Sequence, residues 1–406
     1  MKKGWQTKTI GDVCEFQRGL TYAKGDEVDV SDNVVLRATN IDLATTLLIF
    51  DELKYISDKV VVPESKKVKK GSLMICTASG SKSHLGKVAY IDDDYGYAFG
   101  GFMGMLTPLN GLLPRYLFHL MTSEDYKDFI GALSDGANIN NLTFDNLKRF
   151  PVPVPPLAEQ QRIVGLLDEA FEGLATAKAN AEKNLQNARA LFESHLQSVF
   201  TQRGPGWVEK SLGDVCEFEN GDRGKNYPNR NEYVETGIPW INTGHIQPDG
   251  TLSMEEMNFI TREKFDSLRS GKIQPGDLVY CLRGATLGKT ALVDPLTEGA
   301  VASSLVILRP SSLLDGSFLY FFLTSPAGQG LIKGFENGAA QPNLGAKSVA
   351  KYPISFPKLP EQRGIADSLI ELREETQRLA RLYERKHAAL EALKKSLLHQ
   401  AFTGEL

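Results

Sequence analysis

Two stretches of the chain carry a hydrophobic pattern of helical period. Apolar, small and a few polar residues fall at Ile163, Leu167, Ala170, Leu174, Ala177, Ala181, Asn184, Ala188, Leu191 and His195, and again at Ile365, Leu369, Leu372, Thr376, Leu379, Tyr383, Lys386, Leu390, Leu393 and Leu397. The spacings alternate between four and three, the heptad signature of a helix whose seam faces a second helix. Each run covers about 40 residues, a helix of roughly 60 Å at 1.5 Å per residue. The second seam is rich in leucine and the first in alanine, so large side chains on one can fill space left by small ones on the other. The pattern predicts an intramolecular antiparallel coiled coil in preference to a homodimeric one, because a partner helix in the same chain has the higher effective concentration.

Before each helix, short β-branched and apolar runs alternate with Gly, Asn, Asp and Pro. They are VVLRA, SLMICTA and YAFGGFMGML in the first half, and DLVYCL, TALV and SSLVILRP in the second. Runs of that length between turn residues predict strands, with a helical stretch at PRYLFHLMTSEDYKDFIG. Proline-rich straps, FPVPVPPLAEQ at 150–160 and YPISFPKLPEQ at 352–362, join strands to helices. Their missing N–H groups and fixed φ are expected to forbid regular pairing.

The two halves are copies. WQTKTIGDVCEFQRG at 5–19 returns as WVEKSLGDVCEFENG at 207–221, an offset of 202 from residue 5 to residue 207. LGK at 85–87 and 287–289, NNL and PNL at 140 and 342, and PLAEQ and KLPEQ at 156 and 358 keep that offset, while Cys76 answers Cys281 at 205. A repeat of this length fixes the architecture before any single motif does. The expected fold is α+β: two pseudo-symmetric, strand-rich domains at 1–156 and 204–358, separated by long helices at 157–203 and 359–406, with one domain at each end of the antiparallel pair.

Composition narrows the function. At 42% hydrophobic and 24% charged residues the chain reads as a globular protein of two or three domains. No apolar run approaches the ~18 residues of a membrane span and the start lacks a signal-peptide core, so a soluble, cytoplasmic protein with no membrane contact is expected. Cys14, Cys76, Cys216 and Cys281 stand singly, without metal-ligand spacing, and read as reduced, buried hydrophobes. A net charge of −4 argues against a free-standing DNA coater. RGATLGKT at 283–290 has the look of a phosphate-cradling loop, but only three residues stand between Gly284 and Gly288 where such a loop needs four.

Two variable domains that open W-x-x-K-x-[IL]-G-D-V, each followed by a P-L-x-E-Q strap (PLAEQ, with KLPEQ as its counterpart) and a long heptad helix, resemble the DNA-specificity subunit of type I restriction-modification systems over essentially the whole chain. The resemblance implies a non-catalytic subunit with no cofactor or metal of its own, whose two target recognition domains each read one half of a split, asymmetric double-stranded DNA target. It further implies that the helices set the gap between the halves and dock two methyltransferase (modification) subunits, which carry two restriction or motor subunits. Two alternatives stay open: the recognition subunit of a system whose methyltransferase and nuclease are fused, and a coiled-coil adaptor that binds proteins.

Under this resemblance the variable loops are the candidate DNA-binding surfaces, since base reading needs side chains with defined donor and acceptor patterns. One pair of loops offers Ser81, Lys82, Ser83 and His84 in the first copy and Arg283 and Thr286 in the second, on bases whose Lys87 and Lys289 are placed to reach phosphates. A second pair offers Arg18, Tyr22 and Lys24, and Asp222, Arg223, Lys225, Asn226, Tyr227 and Arg230. A third offers Arg37 and Asn40, and Asn242, Thr243 and His245. The segments GANINNL at 136–142 and GAAQPNL at 338–344 are shared between the copies, which favours a structural role. Gly86 and Gly288 are expected to permit tight turns.

Overall fold

A computed structural model describes residues 4–43, 45–81, 84–134, 141–335 and 344–406. By its contacts the chain divides into two compact units, Met1–Ala181 with Arg385–Leu406, and Glu182–Glu384.

In the first unit, a four-stranded antiparallel sheet has the order Cys14–Arg18, Met103–Pro108, Leu73–Cys76, Val88–Tyr90. A second sheet has the order Glu27–Val28, Lys54–Ile56, Asn33–Leu36, Ala98–Phe99, its last pair parallel. The central strands are apolar without interruption because both faces are covered. Leu73, Ile75 and Leu106 face a core with Tyr116, Leu117 and Tyr126 from helices Pro114–Leu120 and Glu124–Ser134. Met74, Cys76, Met103 and Met105 face the other way, toward Leu36, Ile41 and Phe99.

The second unit repeats this plan. Its four-stranded sheet has the order Cys216–Asn220, Leu305–Pro310, Leu278–Cys281, Thr290–Leu292. Leu278, Tyr280, Val306 and Leu308 turn toward helices Gly316–Thr324 and Pro326–Phe335, and Val279, Cys281, Leu305 and Ile307 toward Ile241 and Val301. All four cysteines are free and buried. Burial pushes the Cys14 and Cys216 thiols up to about 12.

The repeated motif residues have structural work in both units. Thr9 N and Oγ1 each donate to Asp12 Oδ2 at 2.8 Å, and Ser211 does the same to Asp214 at 3.2 and 2.7 Å, which starts the short helices of the GDV motif. The glycine that ends the motif sits against backbone: a Cβ on Gly19 would lie 2.0 Å from Gly100 O, and one on Gly221 2.5 Å from Val301 O. Gln160 and Gln362 of the straps are fully buried. Gln160 Oε1 accepts from Leu113 N at 2.8 Å while Nε2 donates to Gly111 O and Pro155 O at 2.9 Å. Gln362 repeats the set with Asp315 N, Leu313 O and Pro357 O.

The straps correct one expectation. Pro151–Val154 pairs antiparallel with Gln6–Thr9, and Pro353–Phe356 with Val208–Ser211. Prolines tolerate this because they fall on alternate residues whose N–H is not needed: Ile10 N donates to Phe150 O and Leu212 N to Tyr352 O, which makes Thr9↔Pro151 and Ser211↔Pro353 non-hydrogen-bonded pairs.

The long helices run Leu157–Thr201 and Leu359–Thr403, 45 residues each. They pack against each other antiparallel within each unit. In the first, Arg162 donates to Leu406 O at 2.8 Å and Lys178 pairs with Glu391 at 2.7 Å. In the second, Arg189 pairs with Glu384 at 2.9 Å, and Leu196 and Phe200 share a core with Ala366 and Leu369. The helix ends belong to the domain cores, since Ile163, Leu167, Leu398, Ala401 and Phe402 are buried with Tyr116 and Val152. The strict heptad holds as far as Ala181 and Tyr383 and then slips. Asn184, Leu191, His195, Lys386 and Leu393 are exposed, and the buried stripe passes through Leu185, Ala188, Phe192 and Leu196, and through His387, Leu390, Lys394 and Leu398. A straight helix drifts about 20° per heptad against a 3.5-residue repeat, enough to move the buried position by one residue over this length.

Candidate nucleic-acid interface

Strand register collects the variable loops of the first unit at one end of its sheets. Arg18 lies opposite Gly104, Cys76 opposite Met103, and Leu36 opposite Phe99, so the segments 18–24, 37–40, 77–81, 84–87 and 100–102 all lie at the same end. Main-chain bonds tie them together: Leu20 N donates to Phe99 O at 2.7 Å, Gly100 N to Leu36 O at 2.9 Å, and Thr77 N to Phe102 O at 2.9 Å. The second unit repeats the knot, with Ala302 N donating to Ile241 O at 2.8 Å and Leu282 N to Ser304 O at 2.9 Å.

RGATLGKT is the hairpin between Leu278–Cys281 and Thr290–Leu292. A Gly284–Thr286 turn opens it and Gly288, at φ +83°, closes it. The N–H groups of Leu287, Gly288 and Lys289 already donate to Gly284 O, Cys281 O and Thr286 O, so none of these three is left to curl around a phosphate. Gly86 has φ +76°, and its N–H donates to Cys76 O. Both tight turns are thus present.

The side chains divide into two groups. Arg18, Lys24, Arg223, Lys225, Arg230, Arg283 and Lys289 are exposed. Arg18 lies over the Phe144 ring at 5.5 Å, and Arg223 donates to Ser303 O at 3.3 Å. Thr286 is half-buried, with its hydroxyl 3.4 Å from Cys281 Sγ, and Thr243 is half-buried in the turn it opens. Ser81 is exposed at the other hairpin, its N–H donating to Ser79 Oγ; His84 is half-buried, and burial with Lys87 nearby holds it below the usual histidine range. Lys82 and Ser83 lie outside the described residues, as do 136–140 and 338–343.

The second group turns inward, against the expectation of free base-reading groups. Asn40 is buried, accepts Arg37 N at 2.8 Å and donates to Ile49 O and Glu52 O. His245 is its counterpart: it is buried, Nδ1 accepts Asn242 N at 3.1 Å, and burial holds it below the usual range, hence neutral. Asn242 Oδ1 accepts Gly244 N at 2.8 Å. These residues shape the turn after the strand and have little left to offer a base edge. Lys87 also differs from Lys289, because its half-buried Nζ donates to Ile41 O at 2.8 Å and burial lowers its pKa. Asn226 donates to Ser267 O at 2.6 Å, and Tyr227 packs edge-on against Trp240 at 5.4 Å. Tyr22 is half-buried beside Leu20 and Val35. Asp222 is buried, and the main-chain N–H groups of Arg269 and Gly224 hold its carboxyl down at about 2. Lys66, from the basic run KKVKK at 66–70, comes to the same loops, its Nζ donating to Arg18 O at 2.8 Å.

Among the described residues no group of His, Cys, Asp and Glu is arranged to hold a metal ion, and no helix is long and apolar enough to cross a membrane. A family model described as the type I restriction modification DNA specificity domain matches residues 2–185 and 205–384. The chain is 25% identical over 430 residues to the type I restriction enzyme EcoKI specificity subunit of Escherichia coli K12, covering 100% of this chain and 90% of that protein. It is 26% identical over 431 residues to the StySPI specificity subunit of Salmonella potsdam, with the same coverage. In fold it is similar to a chain solved in a study of complex assembly and conformational transition of the type I R-M system, at TM-score 0.76 and 20% identity over 100% of this chain and 99% of that one. It is also similar to the HsdS subunit from Thermoanaerobacter tengcongensis, at TM-score 0.65 and 20% identity over 100% and 98%.

Proposed function

The chain belongs to the type I restriction-modification DNA specificity family, and from that premise we propose how its residues serve DNA recognition. It is the non-catalytic, sequence-reading component of such a system, with two recognition domains suited to a bipartite DNA target. The observation that carries the reading is the pair of loop knots. Two of these main-chain bonds, Gly100 N to Leu36 O and Thr77 N to Phe102 O, recur in the second unit, while the side chains displayed differ: Arg18, Lys24 and Ser81 in one, Arg223, Lys225, Arg230 and Arg283 in the other. A common scaffold with different displayed groups suits two readers of two different half-sites. Arg283 is the group best placed for a base edge in the second unit, and Lys289 and Arg18 for phosphates. The partners we propose are double-stranded DNA and two methyltransferase subunits docked along the long helices, with two restriction or motor subunits held through them. Cytoplasmic location follows from that assembly.

The acidic balance of the chain supports weak DNA binding by the subunit alone. Purified by itself it should bind duplexes with little sequence preference, and adding methyltransferase subunits should produce tight, specific binding. Tight specific binding by the isolated chain at 0.15 M salt would overturn this division of labour.

A further inference from the structure

Phe102 stands in the middle of the first unit's loop knot with 73% of its surface exposed. A single exposed hydrophobe ordinarily needs no explanation. Three features set this one apart. Its main chain is clamped, the carbonyl accepting from Thr77 N at 2.9 Å, Thr77 Oγ1 at 2.9 Å and Ala78 N at 3.2 Å. The backbone beneath it is tight as well: a Cβ on Gly101 would come within 3.2 Å of Thr21 Oγ1. The ring is therefore displayed from a fixed base.

Cationic groups lie at the same end of the sheets. Arg18 ends the strand paired with Met103–Pro108, opposite Gly104, and Lys66 Nζ bonds its carbonyl oxygen. Arg37, whose Cγ lies 3.9 Å from where a Cβ on Gly100 would stand, has a buried Nε with no hydrogen-bond partner. Finally, the second unit holds Ser304 at the same node, where Leu282 N donates to Ser304 O as Thr77 N does to Phe102 O. The clamp is kept and the displayed group changes from an aromatic ring to a hydroxyl, which is the behaviour of a reading position and not of a core position.

We infer that Phe102 is a base-contacting residue for the half-site read by the first domain, offering an apolar surface to a thymine methyl or a base face, and that Ser304 offers a polar contact in its place in the second domain. The inference rests on the reading of this loop-bearing end as the DNA side, so the experiment separates the two.

The complex is reconstituted with its methyltransferase subunits, carrying Phe102→Ser, Phe102→Leu or, as a control for the face, Arg18→Ala. Binding is measured on the cognate duplex, on duplexes with single base-pair changes in each half, and on duplexes with deoxyuridine for thymidine in the first half. Phe102→Ser should lose about five- to tenfold of its discrimination at one or two adjacent pairs of the first half and none in the second, the scale of one base contact. Phe102→Leu should retain most of it. Sensitivity to deoxyuridine that disappears in Phe102→Ser identifies the methyl; discrimination lost without that sensitivity identifies the base face. Because the ring is exposed, thermal unfolding should not change. If Arg18→Ala weakens binding while Phe102→Ser leaves discrimination intact or weakens all duplexes alike, the inference about Phe102 is wrong and the face stands. If Arg18→Ala and Phe102→Ser both leave binding unchanged, the face itself is wrong.

Discussion

Gln160→Met is the perturbation that best tests how a strap holds its recognition domain. Methionine keeps the length and volume of the side chain and removes its donor and acceptor. Three main-chain groups then lose their partner: Leu113 N, Gly111 O and Pro155 O. Gly111 is exposed, so water replaces that bond, whereas Pro155 is buried and Leu113 half-buried. A buried polar group left alone costs about 1–3 kcal/mol, so two of them imply a loss of roughly 3 kcal/mol. For a unit of this size each kcal/mol moves the midpoint by about 2–4 °C, giving a fall of about 6–12 °C. The assay is calorimetry on the intact chain, with Gln362→Met as the counterpart that should lower the unfolding of the other unit by a similar amount. Gln160→Glu adds a pH signature. A carboxyl set between two carbonyl oxygens has its folded pKa raised, so stability is regained in acid and lost as pH rises through that pKa. A shift below about 2 °C for Gln160→Met, or an acid-independent Gln160→Glu, would refute the clamp.

Burial lowers the pKa of His119 to about 4, against hydrogen bonding to Asp168 at 2.8 Å, so the unfolded chain binds the extra proton between pH 6.5 and 4 and stability falls on acidification by at most about 3 kcal/mol. His119→Phe, which places there the residue found at Phe321 in the second copy, should flatten that part of the stability–pH curve, while Asp168 keeps its bond from Arg115. Lys289→Ala should weaken DNA binding by the complex about equally on all sequences and reduce the salt slope by about 0.9, whereas Arg283→Ala should lower discrimination by about 1–3 kcal/mol at one position of the second half-site; ATP binding by the isolated chain would reopen the phosphate-cradle reading of RGATLGKT. Inserting seven residues after both Ala181 and Tyr383 turns each stripe by only about 20°. It should preserve folding and lengthen the non-specific gap by roughly 10 Å, about three base-pair steps, as read by methylation mapping; an active complex that keeps the original gap would show that the helices do not set it.

Much of this was legible in the sequence because the chain is written twice. The strand runs other than YAFGGFMGML, which breaks between Phe99 and Met103, appear as read, as do the Cys76/Cys281 register and the glycine turns at 86 and 288, since a repeated motif samples one local geometry two times. The helix pairing was legible too, although the heptad was carried too far: about five turns of apolar spacing to Ala181 fix a face, after which helix twist moves the stripe one residue on, to Leu185, Phe192 and Leu196. The straps misled because proline's cost depends on whether its N–H faces the partner, which is a matter of register. Asn40 and His245 were ambiguous for a related reason. A polar residue after a strand has the same composition whether it reads a base or caps its own turn, and only the bonds Asn40 Oδ1 to Arg37 N and His245 Nδ1 to Asn242 N distinguish the two. Phe102 was hidden inside an apolar run that reads as continuous strand.

Independent reading of the two halves of one target by the two loop knots is the core of the proposed function. It is tested most directly by methylation mapping of a host genome carrying the complex in which residues 1–150 are replaced by the same segment of a relative, with the residues that meet Ile163, Leu167, Leu398 and Phe402 kept so that the domain core closes on its helices. The methylated sites should have one half of the sequence changed, the other half intact and the gap unaltered. A stable, active complex in which both halves change together would contradict it.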